Sequence, residues 1–258
     1  MSATFSYRFQ SRQARTLANK AKARDHMGGH TAGLDTGAAA RGYAPSVACM
    51  KEVLVKVLVV YYSMYGHVMQ LARAVEGGAK SVSSADVILR RVKEFPEVEQ
   101  ATANNEVAVK IRQQQKDVPI VTLDDLRAAD AVIFGTPTRF GNMTAQMKQL
   151  FDSAASLWLK GEMEGKVGAA FTSTASTHGG QETTLVTMMI PMLHLGMIIM
   201  GMPYSAPGML HTEARGGTPY GPTTVAGAQG ELQPTKEDIE IARLLGVRVA
   251  EVAKKLRG

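Results

Sequence analysis

Residues 53–68 read VLVKVLVVYYSMYGHV, and the reading of this stretch decides the fold. Val53 to Tyr62 is a run of β-branched, apolar and aromatic residues broken only by Lys56, long enough for a strand buried on both faces. The run stops at Ser63, and a helical pattern over 67–81 begins directly after Gly66. A strand that passes through a short glycine-bearing turn into a helix is the opening unit of an α/β sheet.

The unit repeats. Apolar runs recur at 86–92 (DVILRRV), 131–136 (AVIFGT) and 167–173 (VGAAFTS), with 197–201 (MIIMG) as a fifth. Helical patterns at 67–81, 141–157, 179–194 and 235–257 separate or follow them. Continuous rather than alternating apolar strands imply a parallel sheet covered on both sides, so the expected fold is a doubly wound α/β domain with five parallel strands. In the last helix Thr235 is the expected cap, with Glu237 and Asp238 in the first turn and Lys254, Lys255 and Arg257 in the last. The stripe Ile239, Ala242, Leu245, Val249, Val252 and Leu256 is expected to pack on the sheet. Two stretches exceed a minimal domain of this kind: a polar insertion at 93–118 and a Gly/Pro-rich loop at 202–234.

Charge divides the chain at residue 50. The total is 29 basic and 23 acidic residues, but residues 1–50 hold seven of the basic and two of the acidic ones, leaving 22 and 21 in residues 51–258. The body is therefore close to neutral, and no nucleic-acid partner is expected of it. Residues 1–50 read as a basic, disordered extension: a transit peptide, sequence upstream of a true start at Met50, or, on charge alone, a DNA-binding arm; residues 51–258 read as the folded domain. The lone cysteine, Cys49, allows neither an internal disulfide nor a thiolate cluster, and fits a reducing, cytoplasmic setting, with organelle import through residues 1–50 left open. The six histidines show no metal-ligand spacing, so no metal is expected. Thr183 to Thr212 contains no charged residue, yet Pro191, Gly196, Gly201 and Pro203 interrupt it. It reads as a buried helix followed by a buried strand, with an oligomer contact as a possible second use, rather than as a membrane span.

Ligands of open parallel sheets bind at the carboxyl ends of the strands. Three loops there carry polar chemistry. After the first strand come Ser63, Met64, Tyr65, Gly66, His67 and Val68, a helix start whose backbone N–H groups suit a phosphate without help from lysine or arginine. It lacks the P-loop and G-x-G-x-x-G patterns, which excludes the usual modes of ATP and NAD binding at this turn. After the third strand come Pro137, Thr138, Arg139, Phe140 and Gly141, with Asn142 expected to start the next helix; an aromatic beside exposed backbone suits a flat heteroaromatic ring. After the fourth come Ser173, Thr174, Ala175, Ser176, Thr177, His178, Gly179 and Gly180, a row of hydroxyl and amide groups. A flat ring plus a phosphate is the shape of flavin mononucleotide (FMN).

YYSMYGHV, FGTPTRFGNM, a Gly-Gly-Gln-Glu helix start after a Ser/Thr loop, and RGGTPYG together resemble the WrbA family, the flavodoxin-like type IV NAD(P)H:quinone oxidoreductases, over about residues 54–257. The resemblance implies that Ser63–Val68 hold the FMN phosphate, Pro137–Gly141 the isoalloxazine edge and Ser173–Gly180 the pyrimidine and ribityl side. It places Tyr65 near the nicotinamide of NADH or NADPH and Trp158 on the wall of the quinone pocket, a wall that neighbouring copies would contribute through Trp158 or residues 211–224. It counts His194 with the flavin site and implies a homotetramer; protons for the hydroquinone could come from water or from His194. The activity implied is two-electron, ping-pong reduction of quinones through flavin N5, a protective role in oxidative stress. Two other readings stand beside it: a one-electron flavodoxin-like carrier, which the near-neutral body argues against, and a flavin-bearing binding or regulatory protein.

Overall fold

The computed structural model describes residues 54–257 apart from Ala214, and the expectations for residues 1–50 lie outside them. In chain order the elements are β1 (Val55–Tyr61), α1 (His67–Lys80), β2 (Ala85–Arg91), α2 (Pro96–Ala101), α3 (Glu106–Gln114), α4 (Leu123–Ala128), β3 (Ala131–Pro137), α5 (Ala145–Ser153), α6 (Ala155–Leu159), β4 (Val167–Thr174), α7 (Gln181–His194), β5 (Ile198–Ile199), β6 (Gly217–Thr218), β7 (Gly221–Val225) and α8 (Lys236–Arg257). The sheet runs β2-β1-β3-β4-β7-β6, with β5 also on β4. Every pairing is parallel except β6 with β7. This is the doubly wound flavodoxin-like order, whose reversal point lies between β1 and β3.

The fifth position differs from the expected single strand. β5 covers only Val167 and Gly168 at the start of β4, while β7 covers Thr172 to Thr174 at its end. Between them the chain leaves and returns: Met202 N–H donates to Pro219 O at 3.0 Å, and a Cβ on Gly201 would sit 2.0 Å from that same oxygen. Residues 202–234, read as a loop, thus contain a buried half-strand that apolar patterning could not show, because β7 is GPTTV.

Each face of the sheet carries its own core. β-strand residues such as Val57, Val59, Ile133 and Phe171 meet Leu71 and Val75 of α1 and Ile241 and Leu245 of α8. Leu58, Val60, Val132 and Phe134 meet Met147, Leu157, Leu185, Met188 and Met192 on the other side. Each fully buried side chain of this size contributes about 1.5–3 kcal/mol relative to exposure.

The stripe expected on α8 is rotated. Leu256 is 56% exposed, Ile239 and Val252 only flank the core, and the buried face is Ile241, Ala242, Leu245, Gly246, Val249, Ala250 and Ala253. The reason is the closeness of α1: a Cβ on Gly246 would lie 2.0 Å from Val75 O, and one on Gly78 1.9 Å from Arg243 O. Glycine holds the crossing point itself, because there backbone touches backbone, while Ala242, Leu245 and Val249 of the expected stripe stay buried. Thr235 does cap α8, accepting from Asp238 N–H at 3.1 Å, and the buried Asp238 carboxylate does more than answer the helix dipole. It accepts from Thr235 N–H (3.0 Å), Thr224 O–H (2.8 Å) and Gly216 N–H (2.5 Å), which ties the 208–218 excursion and β7 to the start of α8.

Three further readings are refined. The polar insertion is structured, with α2 and α3 in it and Asn105 capping α3 through Ala108 N–H at 2.9 Å. α5 starts at Ala145 behind Thr144, not at Asn142, whose Oδ1 instead accepts from Met143 N–H at 2.8 Å. α7 is not wholly buried: Leu185, Met188 and Met192 face the core, while Val186, Ile190 and Leu193 are exposed. Among the described residues no helix is long and apolar enough to cross a membrane.

Candidate active-site cleft

Parallel strands deliver their following loops to one edge, and at the β1–β3 reversal the helices on either side diverge. There a cleft of about 420 Å³ opens. Its floor is the turn after β1, where Ser63, Met64, Tyr65, His67 and Val68 all line it. Gly66 adopts φ +95°, and its N–H donates to Ser63 Oγ at 3.1 Å, so the serine hydroxyl hydrogen stays free to face the cleft. The first helical bond of α1 runs from Gln70 N–H to Gly66 O, which leaves the N–H groups of His67 to Met69 as unspent donors at the positive end of a 14-residue helix.

The second wall is the turn after β3. Thr138 N–H donates to Ser173 O at 2.8 Å, fixing this turn to β4, and Pro137, Thr138 and Arg139 line the cleft. Arg139 and Asn142 exchange backbone hydrogen bonds across a two-residue tip in which Phe140 and Gly141 both have positive φ, 53° and 77°. The tip turns Phe140 fully into solvent, so Phe140 and Gly141 do not line the cleft. The third wall is Ser173, Thr174 and Ala175. Thr174 O–H donates to Ser176 O at 2.8 Å and turns the chain outward, so that Thr177, His178 and Gly180 line a separate groove with Met209, His211 and Arg215.

Two further walls escaped the sequence reading. Asn105 and Val107, at the start of α3, close one side, and Ala226 to Gly230 close another. Ala226 N–H donates to Thr174 O at 2.7 Å, and His67 Nε2 donates to Leu232 O at 2.9 Å, which pins this segment over the helix start. The available signal was Gly227 and Gly230 flanking a short polar turn after a Thr-rich run, weak without knowing that the run is a strand.

Trp158 and His194, expected at the site, lie at the other edge of the sheet in this chain. β5 follows α7 and pairs with the beginning of β4, and Gly196, two residues past His194, accepts from Gly165 N–H at 3.0 Å just before that strand. A 14-residue helix is about 21 Å long, which carries His194 from the cleft edge to the opposite one. Trp158 is the penultimate residue of the short α6 on the same side and is 57% exposed.

Among the described residues no carboxylate lines the cleft, and the ionisable side chains that do are Arg139, Tyr65 and His67. An anionic ligand therefore meets backbone donors, hydroxyls and one guanidinium without repulsion. Among the described residues no group of His, Cys, Asp or Glu is placed to hold a metal. Behind the first loop, Tyr62 O–H donates to Glu94 at 2.5 Å, and Gln146 Nε2 donates to the other oxygen of that carboxylate at 2.6 Å. Burial first, then the Glu94 carboxylate, pushes the Tyr62 hydroxyl well above the usual tyrosine range; burial pushes Tyr61 up to about 12. Both pKa values are raised on folding, so their stabilising contribution is complete below about pH 10 and fades as pH climbs through the folded values. Urea midpoints measured from pH 8 to 11.5 are expected to fall above pH 10, and Tyr61→Phe and Tyr62→Phe should each shallow that fall; an unchanged slope in both would refute the assignment.

The model of the family described as NADPH-dependent FMN reductase matches residues 55–210. A protein of Geotalea daltonii named NAD(P)H dehydrogenase (quinone) is 49% identical over 207 residues, covering 78% of this chain and 98% of its own. A flavodoxin, WrbA-like protein from Agrobacterium tumefaciens is 26% identical with TM-score 0.48, covering 78% of this chain and 98% of its own. A flavone reductase is 14% identical with TM-score 0.51 over 78% of this chain and 63% of its own, a likeness of fold alone.

Proposed function

Since this chain belongs to the NADPH-dependent FMN reductase family, we propose that residues 51–258 form an FMN-binding domain that reduces quinones to hydroquinones with NADH or NADPH, residues 1–50 being an appended extension. The observation that carries this reading is the meeting of a bare helix start, a fixed Pro-Thr-Arg turn and a hydroxyl-bearing strand end around one cleft at the sheet's reversal point, lined by no carboxylate among the described residues. The name borne by the relative at 49% identity supports the choice of quinone as acceptor.

The residues present fit FMN. Ser63 to Val68 would hold the phosphate with backbone N–H groups, helped by the free hydrogen of Ser63 Oγ. Pro137 to Arg139 would lie along the ring edge, and Ser173 to Ala175 beside the pyrimidine and ribityl side. Bound FMN would supply the redox chemistry, taking hydride at N5 from the nicotinamide and passing two electrons to a quinone in a ping-pong cycle. The chain's own contribution is to bind and orient: the tied 226–232 segment covers the helix start, and Tyr65, 42% exposed, is free to meet the nicotinamide at the cleft mouth. Two-electron delivery fits a protective role against quinone stress, and the lone cysteine fits a reducing cytoplasm.

A homotetramer would complete the pocket. Trp158, Leu159, Ile190 and Leu193 are large apolar side chains more than half or half exposed on the face away from α1 and α8, and Trp158 and His194 are far from their own cleft. Neighbouring copies would bring them to it. Trp158→Ala is then expected to lower quinone turnover at least tenfold while FMN retention changes less than twofold; equal loss of both would remove the pocket-wall role.

The reading is tested by anaerobic stopped-flow mixing of FMN-loaded protein with NADH or NADPH and then benzoquinone. Bleaching of flavin absorbance by the nicotinamide and its return on quinone addition are the expected results. FMN bound without bleaching would point to a one-electron carrier or a flavin-bearing binding protein.

A further inference from the structure

The peptide that opens the helix-start loop is held from behind. Gln115, in the residue after α3, is 8% exposed, and its Nε2 donates to Ser63 O at 3.0 Å across the polar insertion. The carbonyl can only accept, which fixes the amide's orientation. Its other atom, Oε1, is buried without a partner, so the side chain holds this bond at a cost in lost hydration. Ser63, Met64 and Gln115 border a second, smaller cavity of about 150 Å³ on the far side of the loop, with Arg91, Arg112 and Lys116. Ser63 and Met64 line the large cleft too, so this one peptide is the partition between the two spaces.

In a planar trans peptide the C=O and the following N–H point in opposite directions. Holding Ser63 O toward the insertion therefore turns Met64 N–H toward the cleft, beside the free donors of His67 and Val68. Among the described residues Met64 N–H has no acceptor. Ile111, in the last turn of α3 and four residues before its C-cap Gln115, reaches to within 2.7 Å of where a Cβ on Gly66 would lie, so the end of α3 supports both ends of the turn.

We propose that Gln115 is a positioning residue for the phosphate end of the cofactor: it locks the Ser63–Met64 peptide so that Met64 N–H joins the phosphate-binding donors. The inference rests on the cleft being an FMN site. It gives the 93–118 insertion a task, since the phosphate loop's geometry comes from a residue 52 positions downstream.

The test uses the full-length apoprotein titrated, by flavin fluorescence, with FMN and with riboflavin, which has the ring and ribityl chain but no phosphate. Gln115→Met keeps the volume and removes the donor; it is expected to weaken FMN about tenfold and riboflavin less than twofold. Gln115→Asn, one methylene too short to reach Ser63 O, is expected to do the same and replaces Gln115→Met if that variant does not melt cooperatively. Inorganic phosphate alone should compete with FMN on the wild type and lose about tenfold in potency on either variant. Equal weakening of FMN and riboflavin would show a merely structural role and overturn the inference, as would no weakening of either. A wild type that binds no FMN would overturn the functional reading itself, and the inference with it.

Discussion

Gly246→Leu is expected to abolish the folded domain at ambient temperature. Gly246 sits where α8 crosses α1, and even a Cβ there would lie 2.0 Å from Val75 O and 2.8 Å from Ala79 N, both backbone atoms that cannot swing aside. Accommodating a full side chain requires the two helices to separate, which uncovers Leu71, Val75, Ile241, Leu245 and Val249, all buried against the sheet. Overpacking alone costs about 1–3 kcal/mol, and half-exposing five side chains worth about 1.5–3 kcal/mol each adds about 4–8 more, a sum that reaches into the range of about 5–15 kcal/mol that holds a whole domain folded. Gly246→Ala should already lower the urea midpoint clearly, while Gly77→Ala, one position from the crossing on α1 and with nothing within 4 Å, should leave it unchanged or raise it. A Gly246→Leu variant that melts within a few degrees of the wild type would show that the α1–α8 contact is loose.

Gly66→Val should leave a folded protein that binds FMN about thirtyfold more weakly. Gly66 holds φ +95° between Ser63 and the first residue of α1, and its N–H closes the turn on Ser63 Oγ. A β-branched residue resists that conformation by about 2 kcal/mol, roughly thirtyfold in affinity if the cost is met on binding. The added Cβ also meets Ile111 Cδ1 at 2.7 Å, but that is the end of a flexible side chain and can move. The strain thus falls on the loop more than on the core, and thermal melting should shift little compared with the loss of flavin retention. Riboflavin binding should fall less than FMN binding, because the turn faces the phosphate. Undiminished FMN affinity would mean that the helix start is not the phosphate site.

Much of the cleft was legible because its chemistry is local in sequence. A buried strand, a Ser, a Gly and a helix start at 59–68 leave few possibilities for where backbone donors will point, and the same holds for the Pro-Thr-Arg turn at 137–139 and the hydroxyls at 173–174. The walls from Asn105, Val107 and residues 226–230 were not legible, because they reach the cleft through long-range contacts: Ala226 N–H to Thr174 O, His67 Nε2 to Leu232 O, Gln115 Nε2 to Ser63 O. None of these partners carries a sequence pattern that names the other. The outward turn of Phe140 and the separation of Thr177 to Gly180 into their own groove are likewise consequences of single φ angles and side-chain bonds.

By itself the sequence determined the doubly wound architecture, since continuous apolar strands alternating with helices can bury both faces only in a parallel sheet, and it determined the three loops that end at one edge. Tertiary structure alone decided three things. The fifth strand is divided between β5 and β7, because the second half is polar and pairs only through backbone groups. α8 turns Gly246, Ala250 and Ala253 inward beside Ile241, Leu245 and Val249, leaving Val252 and Leu256 further out, because α1 approaches to backbone contact. Trp158 and His194 stand at the opposite edge from the cleft, because a helix that leaves the carboxyl ends of parallel strands must return to their amino ends before the next strand can begin.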